Sequence, residues 1–147
     1  MKKVPHTNGA LFIKGDDFMD FQTNNTLIAS LGMEMVKIEK GTVVMTMPVD
    51  ERTRQPFGFL HGGASVALAE TAASIGSAVL IDSETELCFG LEINANHLKS
   101  KREGIVTATA SIVHQGKSTH VWTVEIRDED EALICLSRCT VAVVKKK

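Results

Sequence analysis

Gln55-Pro-Phe-Gly-Phe-Leu-His-Gly-Gly-Ala-Ser-Val-Ala-Leu-Ala-Glu70-Thr-Ala-Ala-Ser-Ile-Gly-Ser-Ala-Val-Leu-Ile81 is a glycine-rich turn that runs into a long apolar segment with one carboxylate as its only charge. From Ala64 onward the residues are mostly Ala, Leu, Val, Ile and Ser, without proline or a sustained β-branched run. That composition predicts a helix of about five turns, closed by Asp82-Ser83. A helix apolar on all sides belongs in a core or a membrane. A membrane would hold Glu70 near mid-bilayer at a cost of a few kcal/mol, so a protein core is expected, with small residues such as Ala72, Ala73 and Gly76 admitting close neighbours. A glutamate buried there, with no cation near it in sequence, is expected to have a raised pKa and is a candidate base or nucleophile. His61-Gly62-Gly63 puts unobstructed backbone N–H groups at the helix N-terminus, where an oxyanion could sit.

Around this stretch the chain reads as one domain over residues 1–147, with an N-terminal segment over 1–25 and a solvated lysine tail over 145–147. The formal net charge is -2 and no basic face stands out, so nucleic acid is not an expected partner. The start, Met1 to His6, lacks the apolar region of a signal peptide, and a cytoplasmic location is expected. The cysteines number three and show no framework spacing, which favours reduced structural thiols over a disulfide scaffold. Cys135 and Cys139, four apart in a strand, would lie roughly 13 Å from each other, too far to share one metal ion. No metal site is expected, and a Gly-x-Ser-x-Gly elbow is also absent. His6 and His120 receive no role.

In chain order, Asp16 to Asn25 reads as irregular, and Asn25 or Thr26 can cap a short helix through Leu27, Ile28 and Leu31 that Gly32 ends. Met33 to Ile38 and Thr42 to Val49 form a hairpin about Glu39-Lys40-Gly41. After the long helix come four strands, Leu87 to Leu98, Ile105 to Val113, Ser118 to Arg127 and Ala132 to Val144. Their short connections favour antiparallel neighbours. Alternation at Val106/Ala108/Ala110/Ile112 and Trp122/Val124/Ile126 turns one side inward. The expected architecture is α+β, a curved antiparallel sheet wrapped around one long helix.

Five blocks in this order resemble the hotdog-fold acyl-CoA thioesterases: Gln55-Pro-Phe-Gly58, His61-Gly-Gly-Ala-Ser65, Glu70 with Ser74, Gly90-Leu-Glu-Ile-Asn-Ala-Asn-His97, and His114-Gln-Gly-Lys-Ser118. The resemblance covers roughly residues 27–144. It is to the subgroup with a helix glutamate, which includes 4-hydroxybenzoyl-CoA, 1,4-dihydroxy-2-naphthoyl-CoA and phenylacetate-pathway thioesterases. It implies a hotdog fold, hydrolysis of acyl-CoA with an aromatic or bulky acyl group, and a homodimer or homotetramer with sites between subunits. No cofactor is implied, because coenzyme A is part of the substrate.

The resemblance also assigns roles. Glu70 attacks the thioester or deprotonates water, and the Gly62 N–H receives the carbonyl oxygen. Gln55 donates to that oxygen or orients the acyl group, His61 positions the loop or the carbonyl, and Ser74, one turn after Glu70, holds water or the acyl ring. Phe89 and Gly90 take the pantetheine arm, while His97, Lys99, His114, Gly116, Lys117 and Ser118 serve the arm or the phosphates. Where the family often has arginine, Lys99 and Lys117 keep the charge and lose the planar fork. The alternative is a non-catalytic acyl-CoA-binding module. The histidine-carboxylate motif of hotdog hydratases is not found.

Overall fold

The computed structural model describes residues 10–11, 19–21 and 23–147. In chain order its elements are β1 (Ala10–Leu11), β2 (Met19–Asp20), α1 (Leu27–Ser30), β3 (Glu34–Glu39), β4 (Thr42–Pro48), α2 (Gly62–Ala78), β5 (Glu86–His97), β6 (Ile105–Gln115), β7 (Thr119–Arg127) and β8 (Leu133–Lys145). β1 and β2 pair only with each other, antiparallel. The irregular reading of 16–25 is thereby corrected at Met19–Asp20, where a two-residue ladder carries too little side-chain pattern to be legible. The remainder of that N-terminal segment, His6 included, lies largely outside the described residues.

The other six strands form one antiparallel sheet in the order β3-β4-β6-β7-β8-β5. The expected hairpin joins β3 to β4, with Gly41 at φ +86 taking a left-handed conformation open to glycine. The chain then leaves the sheet through α2 and re-enters at the far edge, where β5 pairs with β8 from Glu86 to His97. Every pairing sets inward residues against inward residues. Val43, Met45 and Met47 on β4, Val106, Ala108 and Ala110 on β6, Trp122, Val124 and Ile126 on β7, and Cys139 and Val141 on β8 are buried against α2. A register slip of one residue would turn each of these sets to solvent.

α2 begins two residues before the expected Ala64 and stops short of Ile81. The early start comes from His61, whose Nδ1 accepts the Gly63 N–H at 2.8 Å and caps the helix. The expectation of burial on all sides is also corrected. Ala67, Glu70, Thr71, Ser74 and Ala78 are only half-buried, at spacings that make one stripe. The sheet ends at β5 before it can close over that stripe. Lys145, Lys146 and Lys147 are exposed; Lys145 ends β8 and pairs with Glu86 at 2.8 Å, and the Lys146 N–H donates to the Thr85 carbonyl at 2.9 Å. Among the described residues no helix is long and apolar enough to cross a membrane.

Candidate active site

The loop before α2 is held by its own backbone. The Gln55 N–H donates to Phe59 O at 2.8 Å, the Gly58 N–H donates to Gln55 O at 2.9 Å, and Gly58 sits at φ +85. The Phe57 N–H donates to Gln55 Oε1. A backbone N–H needs an acceptor, so the side-chain oxygen faces it and the amide Nε2 is left as a donor. The Arg102 guanidinium lies 4.0 Å over the Phe59 ring and Arg54 Nε donates to Arg102 O at 2.8 Å, which ties this loop to the one after β5.

At the start of α2, His61 uses the Gly63 N–H and leaves the Gly62 N–H without an acceptor among the described residues. The His97 ring from the end of β5 is seated against Gly62. A Cβ at Gly62 would lie 2.9 Å from His97 Nε2, so glycine is what permits the approach. Gln55, Gly62, His97 and Lys99 line one cleft of about 380 Å³ together with Phe59, Leu60, Ser65, Leu98, Ser100 and Ile134. Lys99 Nζ stands 3.9 Å from Asp128, whose carboxyl is held low chiefly by the Ala132 N–H and also by Asp130 N–H, Lys101 and Lys99.

Glu70 lies elsewhere on the same helix. Its carboxylate packs on Gly90 so closely that a Cβ there would be built onto the Glu70 oxygen. Cys139 is beneath it, its thiol pushed up to about 12 by burial first and then by the charges of Glu70 and Glu92. Such a thiol is inert. Ser74 is one turn on in the half-open stripe, and its carbonyl receives Cys88 Sγ at 3.7 Å. Because Cys88 and Gly90 face the helix, Phe89 points to the opposite face of the sheet, where it is 57% exposed.

The remaining expected residues form a third group. Gly116, Lys117 and Ser118 make the turn between β6 and β7, closed by the Gly116 N–H on Thr119 O at 2.8 Å, and His114 near the end of β6 lays its ring over Gly116. β6 carries eleven residues from the cleft end to this turn, roughly 35 Å at about 3.3 Å per residue. Within one chain, therefore, the expected residues fall mainly into three places, the cleft, the Glu70–Gly90 contact with Ser74 beside it, and the distal turn, while Phe89 stands apart on the outer face of the sheet.

The model of the thioesterase superfamily matches residues 57–135. The chain belongs to that superfamily. It is a thioester-hydrolysing enzyme with the hotdog architecture. Over 118 residues this thioesterase is 58% identical to the 1,4-dihydroxy-2-naphthoyl-CoA hydrolase of Listeria monocytogenes, covering 80% of this chain and 95% of that one. A Pseudomonas aeruginosa thioesterase, solved as a glutamine-to-alanine variant, shares 43% identity over 83% of this chain and 88% of its own, with TM-score 0.81. A Staphylococcus aureus relative solved as a glutamate-to-alanine variant shares 51% identity over 82% of this chain and 100% of its own, also with TM-score 0.81. That protein was solved as a glutamine-to-alanine variant too, and the two replaced residues are separated by the spacing between Gln55 and Glu70 here.

One buried polar group escaped the sequence reading. His120, Trp122 and Ser77 meet under the end of α2, with Trp122 Nε1 donating to Ser77 Oγ at 2.8 Å and His120 Nδ1 at 3.0 Å from the same oxygen. Parity was the available signal, since His120 has the same inward register as Trp122, Val124 and Ile126.

Proposed function

We propose that this thioesterase hydrolyses acyl-CoA thioesters carrying an aromatic or otherwise bulky acyl group, at a site made by two copies of the chain. The observation that carries the proposal is the separation of two needed groups. A carboxylate attacking the carbonyl, or activating water for it, and the N–H that receives the oxyanion must each come within about 3 Å of the same thioester. Gly62 and Glu70 are eight residues apart, about 12 Å along the helix axis, and they pack on His97 and Gly90, seven residues apart on β5.

Both lie beside the free edge of β5. Antiparallel pairing of that edge with its own copy about a two-fold axis carries the cleft of one chain toward Glu70, Gly90 and the 114–118 turn of the other. It also covers the half-open stripe of α2 and continues the sheet. In such a site the Gly62 N–H and the spare Gln55 Nε2 donor hold the carbonyl oxygen as charge develops on it. The Glu70 carboxylate from the facing chain is the nucleophile, or takes the proton of the attacking water. As base, Glu70 passes the proton taken from water to the coenzyme A thiolate as the C–S bond breaks. As nucleophile, it is left by C–S cleavage as an acyl anhydride, which water hydrolyses to the free acid and the Glu70 carboxylate while the water proton goes to the thiolate. Lys99 and Lys117 supply cations for the phosphates in this reading. Ser74, small and in the half-open stripe one turn from Glu70, supports a bulky acyl group, as does the name of the Listeria relative; Ala73 and Ser77, expected to leave room there, are instead buried against the sheet.

The test is thiol release from benzoyl-, 4-hydroxybenzoyl-, 1,4-dihydroxy-2-naphthoyl-, phenylacetyl-, hexanoyl- and palmitoyl-CoA, with wild type beside Glu70→Ala. Turnover of aromatic thioesters that falls by at least about 10²-fold in the variant is expected. Coenzyme A binding without turnover in the wild type would favour the silent binding module instead.

A further inference from the structure

We propose that Ser77 and His120 are positioning residues that set the rotation of α2 about its axis and, with it, the aim of the Glu70 carboxylate. The inference rests on Glu70 being the reacting carboxylate and goes beyond it to what holds that group in place.

The sheet-facing surface of α2 is smooth. Its buried residues are Ala64, Ser65, Leu68, Ala69, Ala72, Ala73, Ile75, Gly76 and Ser77, of which only Leu68 and Ile75 are large. A surface of such small side chains has shallow ridges and indexes its own rotation poorly against a sheet. Directional bonds then matter more. Among the described residues Ser77 is the one α2 side chain that hydrogen-bonds to the sheet, and it does so twice, to Trp122 and to His120. Gly76 beside it admits the Trp122 ring, for a Cβ there would lie 2.5 Å from the ring edge.

Proton roles in this group follow by elimination. An indole N–H can only donate, and the Ser77 hydroxyl has no other acceptor among the described residues, so it donates to His120 Nδ1. In the neutral imidazole that bond leaves the ring proton on Nε2. Burial holds His120 below its ordinary pKa, with the carboxylate of Glu86 on β5 opposing the shift and His114 on β6 adding to it. Its β8 partner Val141 is apolar.

Ser77 is seven residues after Glu70. At about 100° per residue the two differ by about 20°, so they share a line down the helix two turns apart. Whatever fixes the azimuth of Ser77 fixes that of Glu70. The space for error is small, because Glu70 packs directly on Gly90.

The experiment compares wild type, His120→Leu and His120→Asn on the best thioester of the panel, at a temperature where circular dichroism shows all three folded. Asparagine keeps an acceptor near the Nδ1 position, whereas leucine keeps only bulk. His120→Leu is expected to lower kcat by about 10- to 100-fold with KM within about twofold, and His120→Asn to recover to within about threefold of wild type. Trp122 is the sole tryptophan, so its fluorescence reports on the group independently of turnover. In wild type, emission and kcat should fall together as His120 gains a proton, at a pH under the ordinary imidazole value, and the emission step should be missing from His120→Asn. A folded His120→Leu with wild-type kcat would overturn the proposal. So would an equal loss of kcat in both variants. Absence of turnover in the wild type with an intact emission step would instead overturn the reading of Glu70 on which it rests.

Discussion

β3 and β5 both end the sheet, and they end it differently. β3 is six residues long, is irregular between Met35 and Lys37, and shows solvent the Lys37–Glu39 ion pair at 3.2 Å. β5 is twelve residues long, is likewise irregular between Gly90 and Glu92, and exposes Leu87, Phe89 and Leu91. A short, charged edge resists further pairing, while a long edge with exposed apolar side chains invites it. Only the second edge runs beside Glu70, Gly90 and His97. The difference teaches that the edge left open is also the edge where the expected chemistry is incomplete.

The sharpest way to break the comparison is to treat the two edges alike. Leu91 and Val36 are 64% and 62% exposed, so glutamate at either costs little within one chain. We expect Leu91→Glu to yield monomers by light scattering and to lose at least about 10²-fold in kcat/KM, while Val36→Glu keeps both assembly and rate. A monomeric Leu91→Glu with full activity would put the whole site in one chain. Next in size is Gly90→Ala, whose new methyl meets the Glu70 carboxylate. It should lower kcat by about 10- to 100-fold with the thermal midpoint shifted by only a few degrees.

How much of this was legible in the sequence depends on the kind of signal. Each strand of the large sheet could be read, because alternation reports burial directly, and so could α2, because its composition excludes the alternatives. The placement of β5 at the far edge could not, since a strand carries no mark of its lateral neighbour. Glu70 was legible as the lone charge in an apolar run. Its full burial was not correctly inferred, because that run is apolar for a surface that the single chain leaves half-open. In the sequence His120 reads as a lone strand histidine, and only the partner at Ser77, 43 residues away, gives it meaning.

Smaller effects sharpen the comparison at the distal turn and at the cleft rim. Lys117→Ala should raise KM for coenzyme A thioesters by about fivefold, the value of about one exposed ion pair, and leave kcat unchanged. An unchanged KM would show that the 114–118 turn does not reach the phosphates. The smallest effect belongs to Glu129, whose carboxyl is held down to about 2, first by Lys101 and then by the Ile105 N–H. A depressed carboxyl stabilises the fold above its ordinary value near 4.5, and that contribution is lost as pH falls toward 2. Because the group is half-exposed, Glu129→Gln should cost less than about 1 kcal/mol in denaturant titration at pH 7, and nothing near pH 2.

The most direct measurement mixes two dead chains. Glu70→Ala and Gln55→Ala, unfolded together in equal amounts and refolded, should form mixed dimers in half of the population. Each mixed dimer holds one site with both residues intact, so about a quarter of wild-type turnover should return, where neither variant refolded alone shows any. Turnover that stays at the level of the separate variants, with mixed dimers demonstrated by mass spectrometry, would contradict a site shared between chains.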